Sequence, residues 1–289
     1  MKITLFYSLL LLLFSHTAKA QDPVEDSLER LIGRVRAVRT ETVAFSFKSG
    51  KREKGPRLLS SIEEYDPNGR LAKSISYKPD GSKDFDWLSS TDPNEKKAFV
   101  GCSTCEGVTE LRIKPQYDDK GKVIRESTYT LEGNLIGWTE YKYDVAGNRI
   151  EEWEYNNGIL LSRNVHSYDL NGNKVLTRRY DSRGKTDRKW EYNYDKERNL
   201  IAITGYSSDD SVIGKTRYRY DQSDNVTEKA NYDYGDSLSS KANYSYEYDA
   251  KGNWINRTTY TVSMLNTFDS SKVIFEGITE IIYRSITYY

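Results

Sequence analysis

The sequence predicts an all-β protein, a long antiparallel meander of β-hairpin repeats, coiled or curled, with a short helix at its N-terminus. Three observations predict this. A Tyr-Asp pair recurs at Tyr65, Tyr117, Tyr143, Tyr168, Tyr194, Tyr220 and Tyr248, at separations of 52, 26, 25, 26, 26 and 28 residues. Gly commonly follows the Asp by three residues, as in Tyr143-Asp144-Val145-Ala146-Gly147-Asn148 and Tyr168-Asp169-Leu170-Asn171-Gly172-Asn173. Asp accepts backbone hydrogen bonds at the start of a type I turn, and Gly takes the left-handed conformation that returns the chain to its partner strand. A second aromatic stands 12 residues after each pair, at Tyr77, Tyr129, Tyr155, Tyr180, Tyr206, Tyr232 and Tyr260, so a unit of about 26 residues holds two strands and two turns. The return leg of 13 to 16 residues points to one uniform set of turns and one variable set gathered at an edge.

Residues 1–20 read as a signal peptide. Lys2 precedes an apolar run from Leu5 to Phe14, and Ala18-Lys19-Ala20 offers small residues for cleavage before Gln21. The run is shorter than the roughly 20 apolar residues of a spanning helix, and no Cys follows it for lipidation. Without these residues the chain carries 41 basic and 43 acidic side chains, a formal charge of -2, interspersed through the repeats. A nucleic-acid partner would call for concentrated positive charge, and none is present.

Residues 21–33 predict a short capping helix. Asp22-Pro23-Val24-Glu25 supplies a cap, a proline at the first helical position and an acid for a capping box. Val24, Leu28, Leu31 and Ile32 fall on one face, and Gly33 can end the helix. Residues 34–289 then form a single β-repeat domain. Val35 to Phe47 is β-rich, and Lys48 to Pro56, with its basic residues and two glycines, reads as an exposed loop. YD-like repeats cover 58–262. A degenerate copy near residue 91 retains Asp92-Pro93-Asn94 in the place of Asp66-Pro67-Asn68. Residues 263–289 close the domain, with two strands between Lys272 and Tyr289.

Cys102 and Cys105, the two cysteines of the chain, fall in the second turn of the degenerate copy. A redox motif would need a helix N-terminus, and zinc would need ligands that one His outside the signal segment cannot supply. In an exported protein a local disulfide clasp fits best. That His, His166, occupies the place taken by Tyr141, Tyr192, Tyr218 and Tyr246 in other copies, so it reads as a packing residue. Calcium in the DxxGN turns is disfavoured because each turn offers few carboxylates and turn chemistry already accounts for Asp, Gly and Asn. No catalytic residue, metal site or cofactor is assigned.

Period two places Trp190, Tyr192 and Tyr194 on one face, away from Lys189, Glu191 and Asn193, and the same holds for Tyr244, Tyr246 and Tyr248. About 18 strands fit into the domain, and open twisted sheets rarely exceed about 10, so the meander must coil or close. With 24 Tyr and a mean hydropathy of -0.77, coiling buries the aromatic face.

The YDxxGN and YxYD units resemble the YD repeats of the RHS (rearrangement hotspot) family over residues 58–262, with gaps. That resemblance implies spiralling antiparallel sheet of the kind that builds shells or surface structures in bacterial and teneurin-like proteins. The chain departs from the family in its two-strand 26-residue unit and in lacking a DPxGL-type core segment and a variable toxin tail. The resemblance therefore supports fold and export more than toxin function.

Two function classes follow. One is a secreted, periplasmic or cell-surface scaffold or binding module, non-catalytic, contacting glycan, peptide or envelope partners through a candidate aromatic face of Tyr141, Tyr143, Trp190, Tyr192, Tyr194, Tyr218, Tyr220, Tyr246 and Tyr248. The other is a structural or assembly element of the cell envelope. A hydrolase or an outer-membrane barrel ranks lower, because no carboxylate stands out from the repeat and the strand faces carry Tyr, Lys and Glu where lipid would need Leu, Val and Phe.

Overall fold

The computed structural model of the chain describes residues 31–48, 51–88, 96–101, 108–266 and 271–289. Eighteen strands run in order. They are β1 Val35–Lys48, β2 Lys51–Tyr65, β3 Leu71–Tyr77, β4 Lys83–Leu88, β5 Lys96–Gly101, β6 Val108–Tyr117, β7 Val123–Thr130, β8 Leu135–Tyr143 and β9 Arg149–Asn156. The second half continues as β10 Ile159–Tyr168, β11 Lys174–Asp181, β12 Thr186–Tyr194, β13 Leu200–Tyr206, β14 Val212–Tyr220, β15 Val226–Tyr232, β16 Leu238–Tyr248, β17 Trp254–Asn266 and β18 Ser271–Tyr288.

Each strand pairs antiparallel with the next, as β7 does with β8 and β8 with β9. The last pairs with the first, from Val35↔Tyr288 to Ala44↔Glu280. The meander is therefore a closed ring. Closure satisfies the backbone donors and acceptors that two free edges would expose.

The turns explain the register. In Asp144 to Asn148 the Asp144 N–H donates to the Asn148 carbonyl, Gly147 N–H donates to the Asp144 carbonyl, and Asp144 Oδ1 accepts Asn148 N–H at 2.8 Å. Each such turn is a three-residue loop whose last residue has positive φ, followed by a bulge on the return strand, as at Ile150, where Tyr143 opposes Arg149 and Lys142 opposes Glu151. The second turns share this geometry at Lys78–Ser82, Thr130–Asn134, Asp181–Lys185, Ser207–Ser211 and Asp233–Ser237. Among the described residues, the expected variation in this set is confined to one turn of a different kind and to strand length. A shorter return leg comes from the two-residue turn at Asn157 (φ 46) and Gly158 (φ 81), and the longest from the 11-residue strand β16.

Adjacent hairpins are tied by the motif tyrosines. Tyr143 OH donates to the Val123 carbonyl at 2.7 Å, Tyr168 to Arg149 at 2.7 Å, Tyr194 to Lys174 at 2.9 Å and Tyr220 to Leu200 at 2.7 Å. Each acceptor is the first residue of the neighbouring strand, where the ladder has splayed beyond its last pair. In the lengthened β16 the bond passes to Tyr246, which donates to the Val226 carbonyl at 2.8 Å. Arg198 stands where most turns have Gly, at φ 71, and its guanidinium reaches the Asn171 carbonyl of the next turn at 2.7 Å. That contact offsets the roughly 1–2 kcal/mol cost of a left-handed non-glycine residue.

Register separates two faces. The inward face carries Thr139, Tyr141, Glu152, His166, Thr177, Tyr192, Tyr218, Arg257 and Arg284, all buried. Around β12–β16 it condenses into an apolar cluster of Tyr192, Leu200, Tyr218 and Val226. The outward face carries half-exposed Trp, Tyr, Lys, Arg and Glu.

Three expectations are corrected or bounded here. Lys51–Tyr65 is strand from its start, because Arg52 lies over the Phe45 ring at 4.5 Å and Arg57 pairs with Glu41 at 2.6 Å, so the charged stretch has cross-strand partners. Ser271–Tyr288 is one 18-residue strand, and the break that reads as two strands is a bulge where Thr259 opposes Glu280 and Tyr260 opposes Ile278. The expected helix lies mostly outside the described residues, and 31–33 is irregular, with Ile32 N–H donating to Asn253 Oδ1 at 2.6 Å and Asn253 Nδ2 donating back to the Ile32 carbonyl. The signal segment, the Asp92 turn and Cys102 and Cys105 also lie outside the described residues.

Gly147, at φ +94, tests the turn chemistry. Gly147→Val should lower stability by roughly 2 kcal/mol, since a β-branched residue strains in the left-handed region. Chemical denaturation of the two proteins, compared at constant m-value, measures it.

Candidate functional site

Two regions depart from the repeat. The first begins at the inward position opposite each motif tyrosine. That position is apolar at Leu71, Val123, Leu200, Val226 and Trp254, but cationic at Arg149 and Lys174, opposite Tyr143 and Tyr168. Between them lies Glu152. Arg149 Nη1 stands 3.2 Å from Glu152 Oε1, and the Arg149 guanidinium covers the Tyr141 ring at 4.1 Å. His166 Nε2 faces the same carboxylate oxygen at 3.5 Å, and its Nδ1 lies 2.9 Å from Thr177 Oγ1, which also accepts Tyr192 OH at 3.3 Å.

The electrostatics follow from burial. Burial raises the Glu152 carboxyl, but His166 and Arg149 outweigh it and hold the group below the ordinary glutamate value. Burial would lower Arg149, and the Glu152 charge more than offsets it, so that its value is raised. Lys174 is pushed down by burial against a partial counter-effect from Glu152. Burial pushes Tyr168 and Tyr194 up to about 12, so both remain phenols and donors to their carbonyls at neutral pH.

Thr177, His166 and Glu152 thus stand in the order hydroxyl, imidazole, carboxylate, a partnership that the sequence did not single out. Reading His166 as a replaced packing aromatic missed its two polar contacts. The Thr177 side chain is nonetheless buried and takes a second hydrogen bond from Tyr192, and the surrounding N–H groups belong to the sheet ladder. The arrangement joins β9, β10, β11 and β12 as a polar clamp. No group of three or more His, Cys, Asp or Glu among the described residues could hold a metal ion.

The second region is outward. In four units the second aromatic faces a cation of the preceding strand at an offset of 17, pairing Arg112 with Tyr129, Arg163 with Tyr180, Lys189 with Tyr206 and Lys215 with Tyr232, while Tyr260 faces Asn243. Lys189 Nζ stands 4.0 Å from the Tyr206 ring centroid. At the same offset Trp138 replaces the cation and stacks on Tyr155, with centroids 4.7 Å apart and planes 15° apart. Arg125 lies over the Trp138 ring at 4.4 Å, and Lys142 and Arg163 lie over the Trp153 ring at 5.5 Å and 4.5 Å. Both indole N–H groups are spoken for, Trp138 donating to Glu140 and Trp153 to Glu151. An open groove of about 460 Å³ runs over Ile124, Arg125, Glu140, Lys142, Trp153 and Tyr155.

The predicted aromatic face lies on the other side. Tyr141, Tyr192 and Tyr218 are buried, Tyr143, Trp190, Tyr194, Tyr220 and Tyr246 are half-buried, and Tyr248 is 41% exposed at the rim. The structure brings these residues together along the inward wall, where several serve the hairpin-to-hairpin bonds.

Comparison with known proteins adds little. Residues 58–99 match the family model described as a protein of unknown function (DUF2963). No curated protein matches the chain. Among solved structures, a porin-like protein from Bacteroides uniformis is similar at 10% identity and a TM-score of 0.45, covering 89% of this chain and 99% of that one. A structure of TcdB2-TccC3-TEV aligns at 15% identity and a TM-score of 0.35, over 82% of this chain and 14% of that one. A LolA superfamily protein from Nitrosomonas europaea aligns at 8% identity and a TM-score of 0.30, over 94% of both chains. Likenesses this low carry no weight for function.

The Glu152 clamp makes stability depend on pH. Because its folded value lies below the unfolded one, its contribution is present above the ordinary glutamate range and is lost as pH falls through the lower folded value. Thermal melts across pH should show Glu152→Gln less stable than the native protein at neutral pH, with the difference closing in acid.

Proposed function

We propose that the protein is an exported, non-catalytic β-repeat scaffold that binds a glycan through its outward aromatic groove. The observation that supports this is the stacked Trp138 and Tyr155 beside Trp153, where, alone among the described units, an aromatic stands in the place that four others give to a cation. Trp153 and Tyr155 give the groove aromatic surface of the kind that packs on sugar rings, Trp138 backs Tyr155, and Arg125, Glu140 and Lys142 around them suit ring hydroxyls. Export is inferred from the signal-like residues 1–20, and the YD-repeat resemblance agrees with it.

The outward face argues against a lipid environment. Arg219, Glu228 and Lys241 form a charged row across β14–β16, and Lys142, Glu151 and Arg163 form another across β8–β10. An outer-membrane barrel presents an apolar band there, and midplane Lys or Arg costs about 2–4 kcal/mol each. A purely structural role through edge-to-edge assembly is less favoured, because β1 and β18 occupy each other's edges.

Calorimetric titration with a panel of defined oligosaccharides should give saturable binding by at least one, weakened tenfold or more in Trp153→Ala with the fold intact. No heat from any member would contradict the glycan proposal.

A further inference from the structure

The inward wall at β17 and β18 carries two arginines whose donors the ring does not use up. Register sets Arg257 opposite Tyr246 and Ile282, and Arg284 opposite Thr40 two positions along the same face. Each is 6% exposed. Both guanidiniums lie near the Trp254 ring, Arg284 at 4.3 Å and Arg257 at 5.8 Å from its centroid. Arg257 commits one nitrogen, Nη2, to Glu280 Oε2 at 3.3 Å. Its Nε and Nη1, and Nη1 of Arg284, are buried with no hydrogen-bond partner among the described residues, and the same holds for the Thr259 hydroxyl.

The other acid facing this wall is Glu63 of β2. Its carboxylate accepts Tyr65 OH at 2.8 Å, and no ion pair joins it to Arg284 among the described residues. Burial holds the Arg284 guanidinium below its usual value, the Glu63 charge opposes this only in part, and the neighbouring Arg257 charge adds to the lowering. Two buried like charges with idle donors are costly by themselves, since a buried N–H without an acceptor loses its hydration and gains nothing.

We propose that Arg257 and Arg284, floored by Trp254, form an inward-facing receptor for an oxyanion group, a carboxylate or a phosphate. A planar guanidinium presents parallel N–H donors matched to two oxygens of such a group, and the negative charge would relieve the repulsion between the two cations. The site is independent of the outward groove, which lies on the other face of the sheet.

The test is thermal melting of the full chain by circular dichroism at constant ionic strength, with chloride replaced by inorganic phosphate in one series and by acetate in another. The melting temperature should rise saturably with at least one of the two, as mass action requires of a ligand that binds only the folded state. A response to phosphate alone points to a phosphate-bearing ligand, and a response to acetate to a carboxylate. Arg284→Met should lose the rise and, without oxyanion, melt no lower than the native protein, because it removes a buried unpaired charge. Arg257→Gln should lose the rise as well, and it decides the matter if Arg284→Met fails to fold. Native melting indifferent to both anions, or a rise kept in full by both variants, overturns the proposal.

Discussion

The structure depends on the hydrogen bond from a motif tyrosine to the first carbonyl of the neighbouring strand. A hairpin by itself is marginal in water, and strands of seven to nine residues, as in β12–β15, leave their rim ends unpaired. The Tyr194, Tyr220 and Tyr246 hydroxyls close that gap at 2.7 to 2.9 Å. Each bond joins one hairpin to the next, so the motif specifies succession and not merely a turn. Placing the ring of the tyrosine inward and its hydroxyl on backbone lets a sequence of low mean hydropathy make a wall without a conventional aliphatic core.

Much of this was legible. The Asp-to-Gly spacing marked the turns, and the strand count forced coiling or closure. The faces were legible only in part. The YxYD tyrosines were rightly placed together, but exposure could not follow from alternation alone, because alternation does not say which face turns inward. The second aromatics, such as Tyr180 and Tyr206, take the opposite face because a bulge at each turn shifts register by one residue. Their cationic partners were present in the sequence at an offset of 17, yet that offset acquires meaning only once the bulge is known.

His166 shows where repeat logic runs out. Its position is Tyr in four other copies, at Tyr141, Tyr192, Tyr218 and Tyr246, so substitution of a packing ring was the economical reading. In three dimensions the same strands also exchange an apolar inward residue for Arg149 and Lys174, and Glu152 answers those charges. The change is concerted across neighbouring units. One position viewed alone cannot reveal it, whereas aligning all seven units on the motif tyrosine would have exposed two adjacent cations where the others carry Leu, Val or Trp. The arginines of β17 and β18 follow the same logic at the ring's seam, where the repeat has lapsed and pattern offers no guide.

Ring closure through β1 and β18 is the claim on which inside and outside both depend. Backbone hydrogen exchange followed by mass spectrometry tests it most directly. Peptides from residues 37–44 and 280–287 should exchange as slowly as those from β14 and β15, since each would then be an interior strand with neighbours on both sides. Rapid exchange confined to those two segments, the behaviour of free edges, would contradict the closed ring.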